Sequence, residues 1–176
     1  MRGLLITAAA AALITAPLSA RSPTNEAIEI MEGADAFFTA LRNPDKSALA
    51  EELLEEAVIF VHDRRDPANP RTMVVPAGAH LEGWMNSAPG VDEYMTYESV
   101  LVDGTMAHVW GPYVFLRDGE PIHCGINSMS MSKTQEGWKV ANTSFTMTAL
   151  EECETLGAPE LTVDEDGTVE WEAVSQ

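Results

Sequence analysis

The side chains best suited to chemistry in this chain lie between His108 and Asn127. Read at the two-residue period of a β-strand, His123, Gly125, Asn127, Met129 and Met131 share one face. Ile122, Cys124, Ile126, Ser128, Ser130 and Ser132 share the other. The first face turns apolar at its far end and should meet the core, with the serines outside. His123 and Asn127 then stand on a core face, where a polar group needs a partner or a ligand. An imidazole in an apolar pocket is suited to general acid/base work near neutral pH. Asn127 could orient a substrate or donate to an oxyanion, but an amide cannot act as a base. His123 is therefore the one catalytic candidate. The ligand-binding candidates are His62, His108, Trp110, Tyr113, His123 and Asn127. The competing reading is that His123 and Asn127 only satisfy neighbours such as Tyr113 or Trp110. His62, His108 and His123 lack metal-ligand spacing, so no metal and no cofactor are expected. Cys124 adjoins His123, yet neighbouring strand residues point opposite ways, which leaves a nucleophilic dyad unsupported.

The elements that would hold these groups are marked by turns. Asp103-Gly104, Asp118-Gly119 and Glu136-Gly137 punctuate strand-favouring runs. Asp-Gly suits a tight hairpin that needs φ > 0 at both central residues. Four antiparallel strands are expected, at about 94–102, 105–117, 121–134 and 138–148, long enough to twist and curl. Upstream, Ser22-Pro23 reads as a helix start, and Ile30, Ala34, Phe37 and Leu41 recur at helical spacing before Asn43-Pro44. Asp45 should cap a second helix through Leu54, with Leu49 and Leu53 on one face. A short strand follows at 57–62, placing His62 with Val58 and Phe60. The loop 63–71 carries Arg64, Arg65 and Arg71, which can pair with Asp63 and Asp66 or bind an anion. A third helix is expected from Pro76 to Ser87, burying Ala77, Leu81, Trp84 and Met85, with His80 exposed.

The run Val109-Trp110-Gly111-Pro112-Tyr113, then Asp118-Gly119, His123-Cys124-Gly125-Ile126-Asn127 and Gly137-Trp138-Lys139-Val140-Ala141-Asn142 resembles the last strands of a bacterial family labelled lumazine-binding. That family lies within the nuclear transport factor 2-like superfamily. The resemblance covers about residues 23–148. It implies an α+β, cone-shaped fold in which N-terminal helices pack on a curved, mainly antiparallel sheet around a pocket. It also implies a homodimer, for which Ile122, Ile126 and the serine row offer a surface. Ketosteroid isomerases of this superfamily use a pocket Asp with Tyr and Asp donors, a set with no residue-by-residue counterpart here. Two functions are expected from these readings. One is an exported domain that binds a small hydrophobic or aromatic molecule. The other is a cofactor-free isomerase, dehydratase or cyclase acting on a hydrophobic carbonyl compound, with His123 as general acid/base. Fold alone does not choose between them.

Composition narrows the setting. The 176 residues suit a single pocket domain, 21–150. The formal net charge is −18, which repels nucleic acid and anionic membrane surfaces. Residues 1–20 read as a secretory signal: Arg2, the apolar run Leu4–Ala16, and Leu18-Ser19-Ala20 at the cut. The run is too short to span a bilayer. A periplasmic or secreted location follows. In such a compartment Cys124 and Cys153 could pair or remain separate thiols. Residues 151–176 form an acidic tail in which 161–163 and 169–171 could make a small hairpin around Asp166-Gly167.

Overall fold

The structure is a computed structural model in which residues 24–163 and 169–172 are described. The expected signal segment and the Ser22-Pro23 helix start lie outside the described residues. Helix α1 (Asn25–Arg42) is capped by Thr24, whose side chain accepts from the Ala27 amide at 3.1 Å. Ile30, Ala34, Phe37, Phe38 and Leu41 are buried along its inner stripe. Each large side chain buried this way is worth roughly 1.5–3 kcal/mol against exposure. Buried Lys46 donates to the Leu41 carbonyl, placing a cation at the negative end of α1.

Helix α2 is only Ser47–Glu51, shorter than the periodicity suggests. Asp45 does accept from the Ser47 amide, at 3.0 Å. The chain then leaves the helix, because Leu53 is claimed by a strand partner, Val140. Strand β1 therefore runs Leu53–Asp63, taking in Leu53 and Leu54, which the helical spacing places in the second helix. Strand β2 (Arg71–Pro76) returns antiparallel beside it and was not expected. It is an edge strand whose side chains are mostly exposed, so it lacks the alternation that marks a half-buried strand. Helix α3 (Ala77–Met85) follows, burying Ala77 but leaving Met85 exposed, contrary to expectation.

The first expected sheet strand is two strands, β3 (Val91–Met95) and β4 (Ser99–Asp103). Both pair antiparallel with β5 (Met106–Arg117). The break falls where Thr96 crosses Gly111: a Cβ there would lie 1.8 Å from the Thr96 carbonyl oxygen, so only glycine admits the crossing. Strands β6 (Glu120–Thr134) and β7 (Gly137–Met147) complete the sheet, whose order is β2-β1-β7-β6-β5-β3. The β1–β7 pair is parallel and the others antiparallel. All three turn signals close hairpins, but only Asp118-Gly119 has φ > 0 at both residues (53° and 82°). At Asp103-Gly104 only the glycine is left-handed, and Glu136-Gly137 turns at Gln135-Glu136 with Gly137 at φ 118°.

The sheet's inner face meets α1 over Val109, Met129, Met131 and Val140, all fully buried. After β7 a 3-10 turn (Leu150–Glu152) and helix α4 (Cys153–Leu156) lie on the opposite face. They are tied there by a disulfide between Cys124 and Cys153. Strand β8 (Glu160–Val163) pairs antiparallel with β9 (Val169–Glu172) as a separate two-stranded sheet. Among the described residues no helix is long and apolar enough to cross a membrane.

Candidate functional site

The inner face of the sheet leaves a cavity of about 230 Å³ under α1 and α3. Phe37 and Leu41 line it from α1, Ile59 from β1, Met129 from β6, and Phe145 and Met147 from β7. Against this apolar wall stand a few polar groups. The period-2 pattern of β6 holds: His123, Asn127, Met129 and Met131 are buried, and the serines opposite are partly exposed. His123 and Asn127 both line the cavity.

The most unusual group is Glu93 on β3, which the sequence reading passed over. Its register partner is Phe115, so it faces inward with the core residues of β5. Asn127 Nδ2 donates to Glu93 Oε1 at 2.6 Å. Glu93 is half-buried and lines the cavity. Burial pushes its pKa up to about 8, against the Asn127 hydrogen bond and the Arg42 charge, which both favour ionisation. Near neutral pH it is mainly a neutral acid. Its backbone is held from α1, where Arg42 Nη2 donates to the Glu93 carbonyl at 2.8 Å and Arg42 Nε pairs with Asp92.

His123 is set differently. Its ring stacks on Phe115 with centroids 4.9 Å apart and planes at 4°. Tyr113, 1% exposed, donates its one hydroxyl proton to the Thr146 carbonyl at 2.8 Å. His123 Nδ1, 3.3 Å from the same hydroxyl, must then carry a hydrogen and donate to it, leaving Nε2 the acceptor. Burial, helped by the Arg65 charge, pushes the imidazole down to about 4, with Asp63 acting the other way. At neutral pH it is uncharged.

Helix α3 supplies His80 and Trp84, with the indole Nε1–H donating to His80 Nε2 at 2.7 Å. His80, expected to be exposed, is half-buried and lines the cavity. Trp84 leans on Phe115 at 6.1 Å between centroids. Arg117, at the end of β5, is also on the cavity wall.

The other candidates stand elsewhere. His108 and Trp110 register with Ser130 and Ser128, which puts them on the outer, serine face. Trp110 is 42% exposed there. His62 also faces outward, with Nε2 2.9 Å from Ser144 Oγ and Nδ1 3.2 Å from Thr72 Oγ1. None of the three reaches the cavity, because strand alternation sends them through the opposite face. Tyr113 lies on the inner face beneath His123 without lining the cavity. Gly125 does not leave space for a ligand: a Cβ there would lie 1.8 Å from the Thr146 carbonyl oxygen, so the room is taken by β7. Two of the three loop arginines pair within the loop, Arg65 and Arg71 both lying 2.9 Å from buried Asp63, while Arg64 is exposed. Those contacts hold the Asp63 carboxyl well below its usual range, the Arg65 hydrogen bond most. Among the described residues no three His, Cys, Asp or Glu converge as a metal site.

A nuclear transport factor 2-like protein of unknown function from Shewanella baltica superposes with a TM-score of 0.53, at 15% identity, over 72% of this chain and 98% of that one. The fold is nuclear transport factor 2-like. A second such protein, from Methylobacillus flagellatus, superposes with a TM-score of 0.54 at 15% identity, covering 73% and 97% of the two chains. A ketosteroid isomerase-like protein from Erwinia carotovora atroseptica gives 0.52 at 16% identity, covering 70% and 96%. No family model and no curated protein matches the chain. The narrower resemblance to the lumazine-binding family therefore gains no support. The fold does not give the function, which has to be argued from the cavity and its polar pair.

Proposed function

We propose that the chain is a small-molecule-binding protein that takes an apolar ligand into this cavity and meets the ligand's polar group with Glu93 and Asn127. The observation that carries the reading is a neutral carboxyl and an amide, hydrogen-bonded to each other, on the wall of an otherwise apolar cavity. A buried polar pair costs stability that aliphatic side chains would not. A ligand with a matching donor or acceptor gives it a use. The disulfide fits the oxidising compartment expected for an exported protein. Native mass spectrometry of protein purified under mild conditions should find a co-purifying small molecule, lost in Glu93→Gln with Asn127→Leu. A chain that purifies empty, and binds no apolar probe with a single polar group, refutes the reading.

A second reading is favoured by the Glu93 ionisation near pH 8. Ionised Glu93 could take a proton from carbon beside a carbonyl, and the resulting acid could return it elsewhere on the same molecule. That isomerisation balances without a cofactor. His123, held neutral down to about pH 4, is the weaker candidate for this work. Deuterium exchange into enolisable ketones, rising with an apparent pKa near 8 and absent in Glu93→Gln, would identify the enzyme.

A homodimer belongs to the same proposal, through the part of the outer face carrying Trp110 and His108. The 3-10 turn and α4 already cover that face near Cys124, which is fully buried. Light scattering that finds a monomer at roughly tens of micromolar would count against it.

A further inference from the structure

We propose that Arg117 forms a carboxylate subsite at the edge of the cavity, so that the ligand is a small monocarboxylic acid whose apolar body carries a second, uncharged polar group for Glu93 and Asn127. The inference rests on the cavity being a binding site, and it names the class of ligand.

Arg117 closes β5 on the face that carries Phe115 and lines the same cavity as His80 and Trp84. Among the described residues no carboxylate lies within ion-pair reach of it, although Glu120 is its cross-strand neighbour. Of the described arginines only Arg64 also lacks an ion pair, and it is exposed and does not line the cavity. Arg42 has Asp92, and Arg65 and Arg71 have Asp63. The arginine that faces the cavity is left for something else.

The rest of the wall sharpens the choice. Glu93 is protonated near neutral pH, and His80 and His123 are held neutral by burial. Arg117 is then the one full charge on the cavity wall, and its sign is positive. A guanidinium takes a carboxylate through two parallel N–H···O bonds, with specificity that a lysine lacks. Its side chain is only half-buried, so a carboxylate docked there keeps part of its hydration and avoids the full cost of burial. The body of the acid would enter between Trp84, Phe115 and Phe145 toward Glu93 and Asn127. A volume of about 230 Å³ is below the usual range for drug-sized ligands, which suits one ring or a short chain.

The test uses matched probes, trans-4-hydroxycinnamate against its amide, and 8-hydroxyoctanoate against its amide. Each is titrated into the full exported chain at neutral pH by calorimetry and tryptophan fluorescence. In the wild type at least one acid should bind about tenfold or more tightly than its amide, as a charge-assisted pair requires. Arg117→Gln should bring the acid down to the affinity of the amide and leave the amide unchanged. Arg117→Lys should keep part of the preference. Thermal melts of both variants check that the strand end still folds. If acid and amide bind alike, or Arg117→Gln weakens both equally, the carboxylate subsite is overturned and the cavity reading stands. If no probe of either pair binds, both are overturned.

Discussion

Glu93→Gln tests the central claim about the cavity, because it mimics the neutral acid and removes its titration. The glutamine keeps an oxygen to accept from Asn127 Nδ2. The Glu93 carboxyl ionises at about 8 in the folded protein against 4.5 as an ordinary glutamate. A raised folded value means that the folded state holds its proton where the unfolded chain has lost it. The associated stability is full below about pH 4.5, declines as pH rises, and is gone above about pH 8. At about 1.4 kcal/mol per tenfold change in proton affinity, the whole effect is roughly 5 kcal/mol. His123 complicates the acid side. Its folded value is lowered from 6.5 to about 4, so its contribution rises with pH across that interval and opposes that of Glu93. The clean window is therefore about pH 6.5–8.5, in which Glu93 should cost the wild type about 2 kcal/mol. For a chain of this length that is a fall of about 4–8 °C in Tm. Calorimetric melts across the window should show that fall in the wild type, and Glu93→Gln should be flatter by the same amount. Parallel pH profiles for the two proteins would refute the view of Glu93 as a neutral, cavity-facing acid.

Three further outcomes follow from the same geometry. His123→Phe should change stability by less than about 1 kcal/mol at neutral pH, because Tyr113 keeps its bond to the Thr146 carbonyl and the new ring can still stack on Phe115. It should also uncover the Glu93 trend, so that stability rises as pH falls from about 6.5 to 4.5, where in the wild type His123 offsets it; a pH profile parallel to the wild type there would count against a neutral, buried His123. Gly125→Ala should cost about 3 kcal/mol or more by forcing β6 from β7 at Thr146, and a denaturant midpoint close to the wild type would show that the strands can yield. Opening the Cys124–Cys153 bridge, which spans 29 residues, should cost about 3.5 kcal/mol on the chain-entropy account. A melt unchanged in reductant, with both thiols shown to be free, would contradict that.

The legible part of the fold is the part written in local pattern. Ile30, Ala34, Phe37 and Leu41 repeat with the helix and are buried with it. The acid-Gly pairs all fall at hairpins, and the odd face of β6 is the buried one. The errors lie where a distant partner decides. Leu53-Leu54-Glu55-Glu56 has good helix propensity, yet Leu53 pairs with Val140, 87 residues away, and the segment becomes a strand. The break between β3 and β4 comes from the Thr96 backbone crossing a glycine on another strand, which neither sequence segment shows alone.

The candidate site divides along the same line. Period 2 placed His123 and Asn127 on one buried face, because alternation is local. It could not say which polar residues of other strands would meet them. His62, His108 and Trp110 were grouped with the site by residue type, and register sends them through the outer face instead. Glu93 was invisible for the opposite reason. In Val-Asp-Glu-Tyr-Met it reads as a surface acid beside another acid. Only the pairing of β3 with β5 turns it inward, and only α1, through Arg42, fixes the strand there. Gly125 carries the sharpest lesson. A glycine between two polar residues on a core face is compatible with room for a ligand, but here the Thr146 backbone fills that room and the cavity lies elsewhere on the wall. A glycine on a core face reports that something comes close. Whether it is a ligand or the next strand is decided by register, which is a property of two segments and cannot be read from one.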